Sequence, residues 1–548
     1  MPNEMYQSLF GLEGPELRER FCENAPQGVI SMLSELDDAA FRELVTDLGG
    51  HDIPTLLEAL DECDLIEDRP TVIFAYTVKG WGLPIAGNPR NHSALLSSDQ
   101  IDLLRQMSGL DASNEWERFS PESAEGKLCK LREEAMRRTP HLPPASISIP
   151  TETISTSPSR TISTQETFGR VLVNLSRISE VSPYIVSTAP DVATSTNLAG
   201  FINRVGVFSP EERRSWSIDP VLRWDEGPGG QHIELGISEM NLFLLLGQLG
   251  LAWDLSGQPL IGIGTVYDPF VLRGLDAFIY SVYSGARFLV AGTPSGISLA
   301  PEGGAHQSTI TPSVGLELPG VIYVEPAYAV ALDWLMCDAV ASLGSKNASG
   351  NMISEELSSF YFRLSTRPID QSAFEAARGR IGDPVIRKQV LSGAYRLHDA
   401  LAGQANNLHR PNVPVVNIVA TGAMIPEALA ASAELASEGV AAHVVDVTSS
   451  DRLFREWQRA IHQGIRTASA PSLPGSLRAA FPQGGPVVTL HDASSHHLAW
   501  IGSALGVPAI SLGVDTFGQS GDITDLYAAH NLTSDSVVNA ALSVLSIR

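Results

Sequence analysis

A glutamate, Glu239, stands at the head of the most apolar run of the sequence, in GGQHIELGISEMN followed directly by LFLLLGQLGLAWDL. An ionised carboxylate is costly to bury. An acid at that point is either an ordinary first-turn residue favoured by the helix dipole or a group kept dry for chemistry. Three more segments carry side chains of the same kind. TVYDPF brings Tyr267, Asp268 and Phe270; PEGGAHQS brings Glu302 and His306; STAPDVATSTN brings Asp191. Each follows a β-rich apolar run, and open parallel sheets gather ligands beyond the carboxyl ends of their strands. Taken singly, each has a plain explanation: Phe270 as core, His306 as a solvated turn, Asp191 as an Asx turn.

Short β-rich runs position these residues. YIVSTAP, PLIGIGTVYD, ARFLVAGT and VIYVEP alternate with longer helical patterns, and the rhythm returns with PVVNIVATGA, AAHVVDV, PVVTLHD and PAISLGVD. Such alternation implies parallel sheets with helices on both faces. The first 140 residues are mostly helical by periodicity. TVIFAYTVKG (71–80) reads there as one buried strand, followed by a Gly/Pro/Asn loop carrying His92. Residues 141–164, almost all Ser, Thr, Pro and Ile, read as an extended linker. A second irregular zone is expected from about 344 to 384. The expected fold is α/β: two doubly wound sheet domains, 165–345 and 385–548, joined through 346–384, after a smaller helical piece.

With 37 Lys and Arg against 62 Asp and Glu, the net charge is −25, which disfavours nucleic acid and anionic membranes as partners. Four scattered cysteines show neither zinc nor disulfide spacing, and a reducing cytoplasm is expected. The run from Leu242 to Leu255 is too short for a membrane span and reads as a buried core helix. No secretory signal is recognisable at the start.

Together, the order of GQHIELGISEMN, GTVYDPFVLRGLDAF and PEGGAHQSTITP resembles the pyrimidine-binding domain of thiamine-diphosphate enzymes of the transketolase group. GGHDIPTLLEAL, RPTVIFAYTVKGWG, NHSALL and GVDTFGQSGDITDLY narrow the resemblance to the homodimeric pyruvate dehydrogenase component of 2-oxo acid dehydrogenase complexes. The resemblance implies a transketolase-like fold and oxidative decarboxylation of pyruvate or a close homologue, with acyl transfer to a lipoyl group. It implies that Glu239 hydrogen-bonds a ring nitrogen of the cofactor's pyrimidine. It also implies that Phe270 stacks on that ring, with Tyr267 and Ile237 in the same cofactor-binding pocket. His306 would face the reacting carbon, His92 would reach the active centre of a neighbouring subunit, and Asp191 would lie near substrate. The resemblance pairs two acids at the last position, where this chain has Pro190-Asp191.

The resemblance also implies a GDG motif that holds magnesium and the diphosphate, and no GDG occurs in these 548 residues. Residues 1–140 therefore read as the last part of a diphosphate-binding domain, with the strand at Thr71 left at an edge and apolar surface uncovered. The expected cofactors are thiamine diphosphate and magnesium, with the magnesium ligands on a missing N-terminal half or a GDG-containing partner chain. The expected assembly is a homo- or hetero-oligomer, with a lipoyl acyltransferase as a further partner. Two alternatives stand beside this: a noncatalytic regulatory homologue, and a transketolase-like two-carbon transferase.

Overall fold

The computed structural model describes residues 1–137, 147–215, 222–345, 359–402 and 413–547. The chain divides into two units, Met1–Arg138 and Thr139–Arg548. Parts of both expected linkers, 141–146 and 346–358, lie outside the described residues.

The first unit is helical, as its periodicity implies. Short helices including Gly14–Cys22, Gln27–Leu33 and Asp38–Thr46 close over a small core of Leu9, Leu17, Leu33, Phe41 and Val45. Arg18 knits that core: its guanidinium lies 4.4 Å from the Phe41 ring centroid and donates to the carbonyls of Leu33 and Leu36. The buried strand expected at 71–80 is absent. Residues 71–77 carry no regular structure and are exposed, Phe74 by 94%. A strand needs a partner for its N–H and C=O groups, and no described residue supplies a ladder here. What holds the segment's far end is local: His51 Nε2 accepts from the Val78 N–H at 2.8 Å, and its ring stacks on Trp81.

The second unit is α/β throughout. Its larger sheet has eight strands: β1 Ile185–Ala189, β2 Val207–Phe208, β3 Glu226–Gly227, β4 His232–Glu234, β5 Ile261–Val266, β6 Leu289–Gly292, β7 Val321–Val324 and β8 Ser359–Arg363. They run parallel in the order β3-β2-β4-β1-β5-β6-β8-β7. The four apolar runs identified in the sequence are β1, β5, β6 and β7. Strand β8 corrects the expectation of an irregular zone, since SFYFR is wholly buried within the sheet. The smaller sheet has the order β9-β11-β10-β12-β13, with β9 Ala394–His398, β10 Val415–Ala420, β11 Ala441–Val447, β12 Val487–Leu490 and β13 Ala509–Leu512. Only β9 runs antiparallel, so this sheet is mixed rather than fully parallel.

The described part of the Ser/Thr/Pro stretch is extended and pinned. The backbone N–H groups of Thr153 and Ile154 donate to Asp333 Oδ2 at 2.8 and 3.0 Å, and Thr161–Ile162 pairs with Ile369–Asp370. The helix Glu239–Ser256 covers β5 and packs beside the helix Leu275–Tyr283. Its buried side carries Leu242, Phe243, Leu246 and Leu249, while Met240, Leu244 and Leu255 are exposed, so it is half-buried rather than a core helix on all sides. No helix among the described residues is long and apolar enough to cross a membrane.

Within β11, Asp446 is fully buried and accepts from the Tyr395 hydroxyl at 2.6 Å. Burial pushes its carboxyl up to about 7, against the opposing pull of that hydrogen bond. A raised carboxyl favours folding while the folded state holds the extra proton, that is, from below its unfolded value near ~4 up through its folded one. Stability should therefore decline by roughly 1.4 kcal/mol per pH unit between about pH 4 and pH 7 from this group, then level off. Asp446→Asn is expected to remove that decline, measured by urea unfolding at pH 5, 6 and 7.

Candidate active site

The carboxyl ends of four adjacent strands, β4, β1, β5 and β6, deliver the residues singled out by their chemistry. The chain leaves β1 through Pro190 and Asp191, β4 through Leu235 to Ser238, and β5 through Tyr267 to Phe270. From β6 it enters a long irregular segment that carries His306.

Glu239 opens its helix and is 8% exposed. Its Oε1 accepts from Arg273 Nη1 at 2.9 Å, and the Arg273 guanidinium carbon lies 3.6 Å from the centroid of the Phe270 ring. The Phe270 ring is nearly parallel to that of Tyr267, at 13° and 6.0 Å between centroids. The His306 ring meets both edge-on, 5.4 Å from Phe270 and 6.4 Å from Tyr267. Glu239, Arg273, Phe270, Tyr267 and His306 thus form one continuous cluster. His306 Nδ1 is buried and has no hydrogen-bond partner among the described residues, so this imidazole has an unused polar atom beside two aromatic faces.

Asp191 and Ile237 are placed differently. Asp191 is exposed, with φ 64°, and its backbone N–H donates to Glu234 Oε1 at 2.7 Å. Leu235 and Gly236 donate to the same oxygen at 3.1 Å each. A line of Ser187, His232 and Glu234 stands behind this turn, with Ser187 Oγ 2.9 Å from His232 Nδ1 and His232 Nε2 3.4 Å from Glu234 Oε2. Burial raises the Glu234 carboxyl, but His232 and the N–H groups of Asp191 and Gly236 outweigh it, and the net shift is downward. Glu234 thereby shapes the exits of two strands at once. The sequence pattern drew notice to Glu239 and passed over Glu234. The signal was the glycine two residues on, Gly236, whose φ of 64° lets its N–H turn back onto the carboxylate. Ile237 points outward, 79% exposed. His92 belongs to the first unit, exposed in its loop, with Nδ1 3.1 Å from Lys79 Nζ.

Asp268, noted in the sequence but given no role, is the residue that joins the cluster. It is fully buried and accepts from the hydroxyls of Ser308, Thr311 and Tyr361 and from Arg363 Nε, the last at 3.0 Å. Ser308 lies two residues beyond His306, so this carboxylate binds the Phe270 turn to the His306 loop. Arg363, 1% exposed, ends β8 and donates to Glu325 Oε1 at 2.6 Å and to the Asp492 carbonyl at 2.8 Å. Burial disfavours the guanidinium's charge, yet Glu325 and Asp268 more than offset this and hold it well above its ordinary value. Burial likewise raises Glu325, but Arg363 and His491 dominate and its carboxyl falls well below the usual range. From the smaller-sheet lobe, Asp492 Oδ1 accepts from the Ile297 N–H at 2.9 Å, and the Gln519 carbonyl accepts from Gln307 Nε2 at 2.7 Å. The His306 loop is held from both sides.

Close approach of backbone completes the geometry. A Cβ on Gly274 would fall 2.7 Å from the Glu239 carbonyl oxygen and 2.3 Å from the Phe243 ring, so only glycine lets the turn bearing Arg273 reach Glu239.

Comparison with known proteins agrees with this layout. Residues 37–123 match the family described as transketolase, thiamine diphosphate binding domain, and residues 393–533 match the transketolase-like C-terminal domain. The architecture resembles the transketolase of Leishmania mexicana (TM-score 0.62, 18% identity, covering 90% of this chain and 65% of that one). It also resembles the transketolase of Campylobacter jejuni (TM-score 0.61, 16% identity, 90% and 66%). The fold is transketolase-like. In sequence this transketolase-like chain is similar to the pyruvate dehydrogenase E1 component of Pseudomonas aeruginosa, at 25% identity over 99% of this chain and 61% of the relative. The same component of Escherichia coli K12 is 22% identical over 99% and 61%. The chain thus spans about three fifths of the length of these curated relatives.

The buried pair yields a direct test. Arg363→Met leaves Asp268 and Glu325 charged in a dry interior, a change that typically costs about 3–5 kcal/mol. Urea unfolding should show a loss of that size, partly recovered by adding Glu325→Gln, and hydrogen exchange across residues 293–310 should quicken.

Proposed function

We propose that this chain forms the pyrimidine-binding half of a thiamine-diphosphate-dependent 2-oxo acid dehydrogenase of the pyruvate type. The observation that carries this reading is the cluster of a buried acid at a helix start, two parallel aromatic rings and an imidazole with a free, buried nitrogen. These groups suit an aminopyrimidine: a carboxyl to hydrogen-bond a ring nitrogen, a ring face to stack on, and a histidine on the side where substrate would stand. When bound, thiamine diphosphate supplies a nucleophilic carbon for attack on the 2-oxo group and an electron sink for loss of carbon dioxide. Glu239 would hold and exchange a proton at the pyrimidine nitrogen, in a pocket from which Phe270 and Tyr267 exclude water. His306 would orient the substrate or donate a proton to it, and Asp191 would border the substrate's entrance. Arg273 lies on one face of Phe270 and holds Glu239, so a ring stacking on that face requires Arg273 to swing aside.

The diphosphate and magnesium are a separate matter. Among the described residues no group of three or more His, Cys, Asp or Glu could hold a metal. We assign that half to residues outside this sequence, on a GDG-bearing partner chain or a longer form of this one. Exposed apolar surface supports such assembly. Leu244, Tyr280 and Tyr283 stand out from the paired helices, Tyr283 by 85%, Ile237 from the turn before Glu239, and Val72 and Phe74 from the first unit. Patches of this kind mark protein interfaces. Within such an assembly Ile237 would contact cofactor held by the adjoining subunit, and His92 would serve a neighbouring centre. A lipoyl acyltransferase would accept the acyl unit. On this reading residues 165–345 are the pyrimidine-binding domain, and residues 1–140 are the remnant of the diphosphate-binding one.

One feature favours a noncatalytic binding homologue instead, namely the Arg273 guanidinium seated between Glu239 and Phe270. A single experiment separates the two. The chain is combined with a GDG-bearing protein encoded beside it, and 2-oxo acid decarboxylation is assayed with thiamine diphosphate and magnesium. Glu239→Gln is expected to lower turnover roughly 100-fold or more with the melting temperature unchanged. Turnover indifferent to that replacement would establish the binding homologue.

A further inference from the structure

A cleft of about 1500 Å³ opens beside β7, between the helices Asp383–Ser392 and Ser450–Thr467, and none of Glu239, Tyr267, Phe270 or His306 lines it. The second helix turns Arg452, Arg455, Arg459 and His462 toward the cleft, at spacings of three, four and three that place them on one face. Arg387 and Lys388 line it from the first helix.

Three carboxylates share this space, and each is already engaged. Asp338 accepts from Arg452 at 2.8 Å. Asp451 accepts from the Tyr323 N–H at 3.0 Å and lies 3.3 Å from Arg455. Glu456 accepts from the Ser476 hydroxyl. Arg452 and Arg455 also donate to the carbonyls of Leu391 and Val321, so their work is partly structural. Lys388 and Arg459 make no hydrogen bond or ion pair among the described residues. In a chain of net charge −25, a concavity with this surplus of cations focuses a field opposite to that of the whole protein. Ile322, Val385 and Leu391 give the same cleft an apolar wall.

We propose that this cleft binds a nucleotide-class ligand, its phosphate oxygens held by Lys388 and Arg459 and its ring laid against the wall of Ile322, Val385 and Leu391. Arginine offers a phosphate two parallel N–H donors, and lysine adds a compact charge. The volume exceeds what a lone phosphate needs and lies above the roughly 300–1,000 Å³ of most small-ligand sites, so a nucleotide has room in it.

Isothermal titration of the full chain with ADP, with inorganic pyrophosphate and with adenosine tests this. ADP should bind with Kd below about 1 mM, pyrophosphate more weakly, and adenosine not measurably. The double variant Lys388→Glu, Arg459→Glu should weaken ADP binding at least about tenfold with an unaltered melting temperature, since neither side chain has a partner to lose. Absence of ADP binding overturns the proposal. So does adenosine or pyrophosphate binding as tightly as ADP, or full affinity in the double variant.

Discussion

The second unit is organised around one charge that has no access to water. Arg363 sits where the last strand in sequence of the larger sheet meets the smaller-sheet lobe, and such a guanidinium is tolerable in a dry interior only with matched anions and satisfied donors. Asp268, Glu325, Ser308 and the Asp492 carbonyl provide them. Each partner comes from a different part of the chain: the turn after β5, the end of β7, the His306 loop and the other lobe. The requirement that these four converge fixes the distance between the Phe270 ring and the His306 ring, although neither touches Arg363 in the contacts described.

A second layer of electrostatics acts at the strand exits. The Glu234 carboxylate gathers three backbone N–H groups and so sets the path of the chain on either side of the cleft's floor. Glu239, five residues on, is left with a single side-chain partner, Arg273, which itself rests on Phe270. The structural acid is saturated and the candidate catalytic acid is not. That contrast distinguishes a carboxylate that holds the backbone from one with capacity left for a ligand.

The parallel strands buried on both faces were legible because their apolar runs are continuous and end in Gly, Pro or Asp. The placement of Phe270 and His306 after successive strands was legible for the same reason, whereas Glu239 follows β4, which was not. Strand β8 was not, since SFYFR is short, ends in a charge and adjoins a polar stretch; its arginine makes sense only when Asp268 and Glu325 are in view. Strands β2, β3 and β4 have two or three residues each, too few for any periodicity. Residues 71–77 show the opposite failure. Their composition is that of a buried strand, and strand formation depends on a neighbour that local sequence does not encode. Arg273 was invisible as well, because its role arises from a tight turn that brings position 273 over the ring at 270.

The clamp on the His306 loop has a bearing on protein engineering. Because Asp492 and Gln519 reach across to Ile297 and Gln307, the two lobes share a hinge line of matched contacts and are not independent modules. A chimera that grafts the terminal lobe of a relative onto this chain would carry over its sheet intact yet leave the imidazole loop untethered unless the acid at 492 and the backbone path at 519 are kept.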